Sequence, residues 1–396
     1  MKILHVIPGL SPLYGGPTKA VIEMCRELKN RGVEAEIATT DADVRGNIRI
    51  PLAQPVEIEG VTVYCFRSPF LRKYGFSWGL TQWLKEHVRN YQLLHIHAFF
   101  SYVTAPTAYY AKKSEIPYII RPSGELNPWP LRKSPIKKSL YLSLFGKQCL
   151  NNASALHLTS EDERKAAQRL SSRAKTVVIP LGLHPLVENG FPRKRDFVKK
   201  YPMLAQKKLI VFLSRIDPKK GLDQLIPAVA YLAHQRNDFA VVIAGSGSGT
   251  YETAIHRFAV SEGLGDNIVF TGFLQGQEKS GLLRDADIFV LPSYDENFGL
   301  AVVEALAMGV PVVISKQVGI HHEVTQYGAG IVTECHAGII ADALKRLLDN
   351  EPLRIKMGEN GRRLVREKFT WEKVSKELME LYESIVSEGK HDSAAT

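Results

Sequence analysis

The stretch that decides the fold runs from Pro292 to Ile314 and reads PSYDENFGLAVVEALAMGVPVVI. It follows an apolar strand, turns through a polar loop, enters a helix near Phe298–Gly299, and leaves through Gly309 and Pro311 into another strand. This order of strand, loop, helix and strand is the βαβ unit of a parallel sheet. Ligands bind such sheets at the loops that follow the strands, so the polar loop is the place to look for chemistry.

The same alternation of strands and amphipathic helices extends along the whole chain. The predicted strands are Ile3–Pro8, Glu34–Thr39, Val61–Phe66, Leu93–His97, Tyr118–Arg121, Ala155–Leu158, Thr176–Pro180, Leu209–Ser214, Ala240–Ala244, Ile268–Thr271, Ile288–Leu291, Val312–Ser315 and Gly330–Thr333. A chain of 396 residues is too long for one core. We therefore predict an α/β protein with two Rossmann-like, doubly wound domains that face each other across a cleft.

The predicted boundaries follow shifts in composition along the chain. Residues 1–187 form the first domain, a charged stretch at 188–208 forms a linker, and residues 209–372 form the second domain. A helix is predicted at 373–388 because its apolar residues fall on one side, and the polar tail at 389–396 is expected to be disordered. The apolar side of this helix consists of Val374, Leu378, Leu381, Tyr382 and Ile385.

Composition narrows the function classes. No apolar run reaches the ~18 residues of a membrane span, the opening residues do not resemble a signal peptide, and the four cysteines are scattered. We therefore expect a cytoplasmic protein without a zinc site or disulfide framework. The net charge of +10 is uneven, since residues 1–200 hold 30 Lys and Arg against 16 Asp and Glu. This excess predicts contact with an anionic partner or, equally well, serves solubility.

Two glutamates in the opening stretch are the first candidate site residues. Glu296 precedes the helix and Glu304 lies within it among apolar neighbours, where a lone carboxylate is costly unless it has a partner. Carboxylates accept hydrogen bonds from vicinal hydroxyls of a ribose or a sugar, and the first amides of a helix bind anions. The alternative is that both glutamates are ordinary helix charges.

A basic loop follows an earlier strand of the second domain. The segment SRIDPKKG places Arg215 and Lys220 just before a helix that begins near Leu222. Two cations at such a loop can neutralise a diphosphate leaving group without a metal. Taken alone, the segment is equally consistent with a basic surface turn.

Glycine-rich loops follow two other strands. Gly15 and Gly16 lie in the loop after the first strand, and Gly245 opens a Gly-Ser-Gly-Ser-Gly run. Glycine lets backbone amides approach a phosphate or a sugar closely. The first loop does not match the dinucleotide-binding fingerprint, and a tight turn is its alternative. The second is a glycine run without wider context, and we expect it to be a close-approach loop near the donor.

Together these segments resemble glycosyltransferase family 4, the retaining enzymes of the GT-B fold. The glutamates at 296 and 304 match its Glu-x₇-Glu motif, SRIDPKKG is similar to its Ser-Arg-x-x-x-x-Lys-Gly signature, and the early Gly-Gly loop, His95-Ile-His97 and Gly319–Glu323 also agree. The resemblance covers nearly the whole chain. It implies a metal-independent sugar transfer from a nucleotide diphosphate donor, and a final helix that crosses back to the first domain.

The resemblance also implies roles for individual residues. Arg215 and Lys220 would hold the donor phosphates and Glu304 the ribose, while Glu296 would hold the donor sugar. The predicted donor site further includes Gly15, Gly16, Gly245, Phe273, Asn297, Phe298, Gly299 and Leu300. Relatives carry His or Arg in a first-domain loop where this chain has Ser123. His97 or Arg121 is therefore the candidate for that catalytic contact, although a buried histidine is more often a core residue.

Two further segments allow competing interpretations. Asp285-Ala-Asp287 imitates the Asp-x-Asp motif that holds a divalent metal in other glycosyltransferases, but it precedes its strand and predicts a solvated turn. Residues 129–147 combine basic and apolar side chains. They would rest on an anionic membrane surface at the inner face of the cell membrane, or else pack into the first domain.

We therefore expect a hexosyltransferase that uses UDP-glucose or a similar donor and acts on a glycan or a lipid-linked acceptor in surface polysaccharide synthesis. No cofactor or metal is expected. A nucleotide-sugar epimerase of the same fold is the alternative within the enzymes. Nucleic-acid binding is disfavoured, because the sequence has no matching motif and that function leaves the two glutamates unexplained.

Overall fold

The computed structural model describes residues 1–11, 16–42, 50–171, 173–184, 196–247, 249–265 and 267–394, with side chains through residue 388. It divides into two compact units, one formed by residues 1–182 with 371–396 and the other by residues 183–370. Both units are α/β, as predicted. No helix in the described part of the chain combines the length and the apolar character needed to span a membrane.

The first unit is built on an eight-stranded sheet in the order β3-β4-β2-β1-β5-β6-β7-β8. All neighbours are parallel except β3 and β4. The strands are β1 Lys2–Val6, β2 Glu34–Thr40, β3 Pro55–Ile58, β4 Val61–Phe66, β5 Leu93–His97, β6 Tyr118–Arg121, β7 Ala155–Leu158 and β8 Thr176–Val178. Among the strands that lie on described residues of this sheet, only the short antiparallel edge strand β3 was not predicted, and its side chains are at best half-buried.

Helices cover both faces of this sheet. They are α1 Gly16–Asn30, α2 Trp78–His87, α3 Thr104–Lys113, α4 Pro128–Arg132, α5 Pro135–Tyr141, α6 Lys147–Asn151 and α7 Glu161–Gln168. A π-helical turn at Leu142–Gly146 joins α5 to α6. One face of the sheet forms a core with α1 and with the C-terminal helix, and the other packs against α2, α3 and α6.

The second unit has a six-stranded, fully parallel sheet in the order β11-β10-β9-β12-β13-β14. Its strands are β9 Lys208–Leu213, β10 Phe239–Ala244, β11 Ile268–Gly272, β12 Ile288–Leu291, β13 Val312–Ser315 and β14 Gly330–Thr333. Its helices are α8 Asp196–Lys199, α9 Leu222–Ala233, α10 Gly249–Ser261, α11 Gly276–Asp285, α12 Leu300–Ala307, α13 His321–Tyr327, α14 Ala337–Leu348 and α15 Glu351–Lys368. The strands are mainly apolar because helices cover both faces of the sheet.

The last helix, α16, spans Trp371–Ala394 and belongs to the first unit. The five residues predicted on its apolar side are all buried against β1 and α1, and Trp371 joins them. The helix thus returns to the first unit as the resemblance implied. Its backbone continues through Ala394, so residues 389–394 of the predicted disordered tail are helical.

The predicted linker at 188–208 falls only partly on described residues. Residues 188–195 lie outside them, while Phe197 and Val198 in α8 are buried in the second unit and β9 already starts at Lys208. The second half of the predicted linker is therefore part of the second unit's packing.

Candidate active site

Most of the predicted donor residues of the second unit lie at one edge of its sheet, in the segments that follow its strands. Parallel strands end at the same edge, so the residues that follow β9, β10, β11 and β12 meet there. These residues are Arg215 and Lys220 after β9, Gly245 after β10, Phe273 after β11 and Glu296 after β12. The edge carries both the cations and the carboxylates that the sequence singled out.

Lys220 and Glu296 form an ion pair between two of these loops. The Lys220 ammonium donates to Glu296 Oε2, and the side chain of Lys220 is only 5% exposed, against 20% for Glu296. A charge so deeply buried is costly without a partner. The pair therefore fixes both side chains before any ligand binds.

The backbone holds the two loops together as well. The Tyr294 amide donates to the Lys219 carbonyl at 2.7 Å, and the Tyr294 hydroxyl donates to Asp223 at 2.7 Å. Glu296 is held by its neighbours after β13, because its amide donates to Gln317 and its carbonyl accepts from the Gly319 amide. Preorganised groups of this kind need no rearrangement when charge develops in a ligand.

Close backbone approach at this edge requires glycine at several positions, including 221 and 245. A Cβ on Gly221, whose φ is +73°, would lie 1.8 Å from the Pro292 carbonyl oxygen, and a Cβ on Gly245 would lie 1.9 Å from that of Ser214. No other residue fits this spacing. Gly245 thus serves the packing of adjacent loops, and its amide donates to the Gly272 carbonyl at 2.8 Å.

The site is electrostatically positive around Glu296. Burial by itself would raise the pKa of the Glu296 carboxyl, but the charges of Lys220, Lys219 and Arg215 hold that pKa below its ordinary value. The carboxylate is therefore ionised at neutral pH and accepts hydrogen bonds. Arg215 is exposed, so its guanidinium is accessible to a ligand.

Helix α12 begins directly after this loop. Its first residue is Leu300, and Gly299 before it adopts the left-handed conformation with φ +89°. The first amides of a helix have no intrahelical acceptor, which makes this terminus suited to an anion or a sugar hydroxyl. Phe298 is 3% exposed and packs edge-on against Phe369, so only its backbone is available. Asn297 is half-buried beside it.

Glu304 has the partner that its apolar surroundings demand. Lys279 Nζ of α11 lies 2.6 Å from Glu304 Oε1, and the two side chains are 25% and 11% exposed. Lys279 could not be predicted from sequence, because no spacing rule connects a residue of one helix to a residue of the next. Phe273 is 60% exposed after β11 and is available to a ligand.

The predicted residues of the first unit have less support. Gly15 lies outside the described residues, and Gly16 is the first residue of α1 rather than part of the preceding loop. His97 is 2% exposed, with Nε2 at 2.9 Å from His5 Nδ1 and Nδ1 at 3.5 Å from Arg121. A histidine with both nitrogens engaged inside a core has no atom free to touch a substrate. These surroundings favour a structural role for His97, and Arg121 is just as buried.

His97 belongs to a buried cluster under α16, which we call the histidine cluster. It consists of His5, His95, His97, His157, Arg121 and Tyr382. His95 Nδ1 lies 2.7 Å from the Tyr382 hydroxyl, His95 Nε2 lies 3.2 Å from His157 Nδ1, and His157 Nε2 lies 2.9 Å from the Ile179 carbonyl. The association of these residues could not be predicted from sequence, because they come from four strands and from α16.

The hydrogen-bond partners determine which ring nitrogen of each histidine in the cluster carries a proton. A carbonyl only accepts, so His157 donates through Nε2 and accepts at Nδ1 from His95, which accepts from Tyr382. Burial lowers the pKa of Arg121 to about 10, so its guanidinium stays charged and donates to His97, which donates to His5. Burial and the charge of Arg121 lower the pKa of His5 and His157 to about 3. All four imidazoles are therefore neutral at pH 7.

Three imidazoles of the cluster, those of His5, His95 and His97, are close enough to share a metal ion. Their nitrogens are engaged in the two hydrogen-bond chains, except His5 Nε2, which has no partner among the described residues. The positive charge of Arg121 also opposes a second cation. We therefore assign no metal site to the cluster.

The Asp-x-Asp segment is not the solvated turn that the sequence predicted. Asp285 is 3% exposed and accepts from the Val198 amide at 3.1 Å, and Asp287 accepts from the Leu209 amide at 2.8 Å. Both carboxylates cap backbone at the amino end of the sheet. They hold α8 and β9 in place and lie away from the carboxyl edge.

Comparison with known proteins agrees with this architecture. The family model for the glycosyl transferase 4-like domain matches residues 15–182, and the model for glycosyl transferases group 1 matches residues 193–364. Together they cover most of the chain, and the chain belongs to glycosyltransferase family 4. It is thus an enzyme, a glycosyltransferase of the GT-B fold.

Individual relatives are distant. The D-inositol 3-phosphate glycosyltransferase of Corynebacterium diphtheriae is 25% identical over 96% of this chain and 94% of its own. An uncharacterized glycosyltransferase of Methanocaldococcus jannaschii is 30% identical over 52% of this chain and 54% of its own.

Solved structures share the fold at low identity. Sucrose-phosphate synthase from Thermosynechococcus elongatus superposes with a TM-score of 0.79 at 20% identity, covering 98% of this chain and 99% of that protein. Anabaena HepE in complex with UDP and glucose superposes with a TM-score of 0.80 at 20% identity, covering 97% of this chain and all of that protein.

Proposed function

We propose that this glycosyltransferase moves a hexose, with retention of anomeric configuration, from a nucleoside diphosphate sugar to a hydroxyl of a glycan or lipid-linked acceptor in surface polysaccharide synthesis. UDP-glucose is the proposed donor. The observation that carries the proposal is the paired arrangement of Lys220 with Glu296 and Lys279 with Glu304 at one sheet edge. The HepE complex, which holds UDP and glucose on the same fold, supports the choice of donor.

In this proposal the donor diphosphate lies among the cations of the basic loop. Lys220 and the exposed Arg215 offset the charge that develops as the bond between the anomeric carbon and the phosphate oxygen breaks. Glu296 and the first amides of α12 receive the sugar hydroxyls, and Glu304 receives the ribose diol. These roles require no metal, because Lys220 and Arg215 neutralise the negative charge of the diphosphate.

We propose a front-face displacement for the transfer step. The acceptor oxygen bonds to the anomeric carbon on the face that the diphosphate leaves, and the acceptor proton passes to the departing phosphate oxygen. The step thus needs no carboxylate nucleophile. Glu296 is already engaged by Lys220, which suits it to binding rather than to attack.

The test is transfer from UDP-glucose by single and paired variants. Lys220→Ala and Glu304→Ala are expected to lower kcat/KM by on the order of 10²–10³-fold. Because Lys220→Ala leaves Glu296 buried without its cation, the double variant Lys220→Met with Glu296→Gln controls for folding. It should keep the thermal stability of the wild type and still lack activity. Near-normal turnover of either single variant would contradict the site assignment.

The assay also includes a reaction with the donor alone and a panel of different acceptors. A product formed from the donor without acceptor would indicate the epimerase alternative instead. The acceptor panel includes an inositol phosphate, because the relative from Corynebacterium diphtheriae is named for that substrate. Transfer to inositol phosphate but to no glycan or lipid would replace the proposed acceptor class.

We further propose that residues 129–147 contact an anionic membrane at the cytoplasmic face. Tyr141 packs inward on Phe99 and Phe100, while an opposite row of large apolar side chains faces solvent instead of packing into the first unit. The row is Ile136, Leu140, Leu144 and Phe145, exposed by 83%, 58%, 58% and 53%. Exposed lysines at 133, 137 and 147 flank it. Exposed apolar and basic side chains together match an acidic lipid surface.

Flotation with phosphatidylglycerol vesicles at low salt tests this contact. The wild type should float with the vesicles, and the pair Ile136→Ser and Leu140→Ser should float less than a tenth as well. Val260→Ser is the matched control, because Val260 is 70% exposed in the second unit. Equal flotation of both variants, or none of the wild type, would exclude the contact.

A further inference from the structure

We propose that Lys279 is a positioning residue, which holds the Glu304 carboxylate for the ribose of the donor and thereby sets the preference for ribonucleotides over deoxynucleotides. The inference rests on the proposed function, since it takes Glu304 as the ribose contact. It adds a residue that neither the sequence motif nor the family resemblance included.

The surroundings of Glu304 make a cation necessary. Its neighbours Val303, Ala305 and Leu306 on α12 are fully buried, and Glu304 itself is 9% exposed. A carboxylate in such a position is costly without a partner. Lys279, whose Nζ lies 2.6 Å from Glu304 Oε1, is that partner.

The geometry of the pair leaves one carboxylate oxygen for a ligand. Lys279 contacts Oε1, so Oε2 is the oxygen offered to the ribose hydroxyls. An ionised, fixed carboxylate accepts stronger hydrogen bonds than a neutral or a rotating one. Without Lys279 the same glutamate would keep its place in the chain but lose the contact that fixes its orientation.

Lys279 lies on α11, a helix that packs tightly against the rest of the second unit. Leu282 and Leu283 of α11 are buried, and the last residue of the helix, Asp285, accepts a hydrogen bond from Val198. Precise recognition requires supporting groups on rigid elements of this kind. A mobile surface lysine would hold Glu304 far less well.

A second lysine near the same helix provides the matched control. Lys200 Nζ pairs with Glu278 Oε1 at the same distance of 2.6 Å, but these side chains are 60% and 54% exposed. Glu278 immediately precedes Lys279 on α11. Removing Lys200 therefore removes an equal charge close to α11 without touching the proposed ribose contact.

The experiment compares the binding of UDP and 2′,3′-dideoxy-UDP by titration calorimetry. A site that accepts hydrogen bonds from hydroxyls rejects an analogue that lacks them. The wild type should prefer UDP by on the order of 10- to 100-fold, and Lys279→Met and Glu304→Gln should each reduce this ratio to about threefold or less. Lys200→Met should leave it unchanged, and Lys279→Arg, which keeps the charge, should restore most of it. Because both ligands carry the same diphosphate, the ratio of their affinities does not change when a substitution affects diphosphate binding in general.

The outcomes separate the two proposals. If Glu304→Gln lowers the ratio and Lys279→Met does not, Lys279 has no positioning role and the proposed function stands. If Glu304→Gln leaves the ratio intact, or UDP does not bind the wild type, the proposed function itself fails. A ratio lost equally in Lys200→Met would also overturn the inference, since any nearby charge would then suffice.

Discussion

The histidine cluster makes the first unit sensitive to acid. His5 and His157 have a pKa of about 3 in the folded protein against an ordinary value of 6.5, and burial also holds the pKa of His95 and His97 well below that value. Between these values the unfolded chain binds more protons than the folded one, so stability falls as the pH drops through 6.5. Between pH 7.5 and 5.5, each histidine that stays neutral in the folded protein lowers the free energy of unfolding by about 1.4 kcal/mol. The four together lower it by about 5 kcal/mol.

The assay follows urea unfolding by tryptophan fluorescence at several pH values. All four tryptophans, at positions 78, 83, 129 and 371, lie in the first unit, so the signal reports on that unit alone. The perturbation is His5→Gln, which removes one titrating group but keeps a side-chain acceptor for His97. We expect the variant to lose about 1.4 kcal/mol less than the wild type over the same pH interval.

The exposed His322 of the second unit supplies the control. The substitution His322→Gln should leave the pH dependence of the fluorescence transition unchanged. If His5→Gln unfolds with the same pH dependence as the wild type, His5 is protonated in the folded state, and the assignment of neutral imidazoles is refuted.

Three further outcomes follow from other contacts. Gly221→Ala should destabilise the protein by about 2 kcal/mol or more in thermal unfolding, because its Cβ would collide with the Pro292 carbonyl at a left-handed φ. Gly249→Ala is the control, because a Cβ at that position has no neighbour within 4 Å, and it should change stability by less than about 0.5 kcal/mol. Tyr382→Phe should cost the first unit about 1 kcal/mol in urea unfolding, since His95 loses its donor, and an unchanged midpoint would contradict the proton order. Dialysis against EDTA should leave sugar transfer within about twofold of its starting rate, whereas a loss restored by Mg²⁺ would contradict the metal-independent proposal.

The regular parts of the fold could be predicted from sequence because most strands of the two sheets are short apolar runs followed by helices with their own period. The edge strand β3 was missed, since an exposed strand lacks that apolar run. Asp285 was predicted as solvated because its burial depends on the Val198 amide, which lies far away in sequence.

The candidate site divides in the same way. The position of Glu296, Lys220 and Gly245 at the sheet edge could be predicted because their loops follow strands, and parallel strands end at a common edge. The pairing of each glutamate with a particular lysine depends on how α11 and the basic loop pack, and no local pattern contains this information. His5, His95, His97 and His157 come from three different strands, so their association becomes visible only when the sheet is assembled.

Helix α16 completes the core of the first unit with residues that follow the whole second unit in the chain. Trp371 to Ile385 fill one face of its core, and the Tyr382 hydroxyl completes the hydrogen bonds of His95. A ribosome makes these residues only after the whole of residues 183–370. Residues 1–182 therefore complete their core later than they are translated, and a nascent chain or a truncated product that ends before residue 371 exposes an unfinished apolar face to chaperones and proteases.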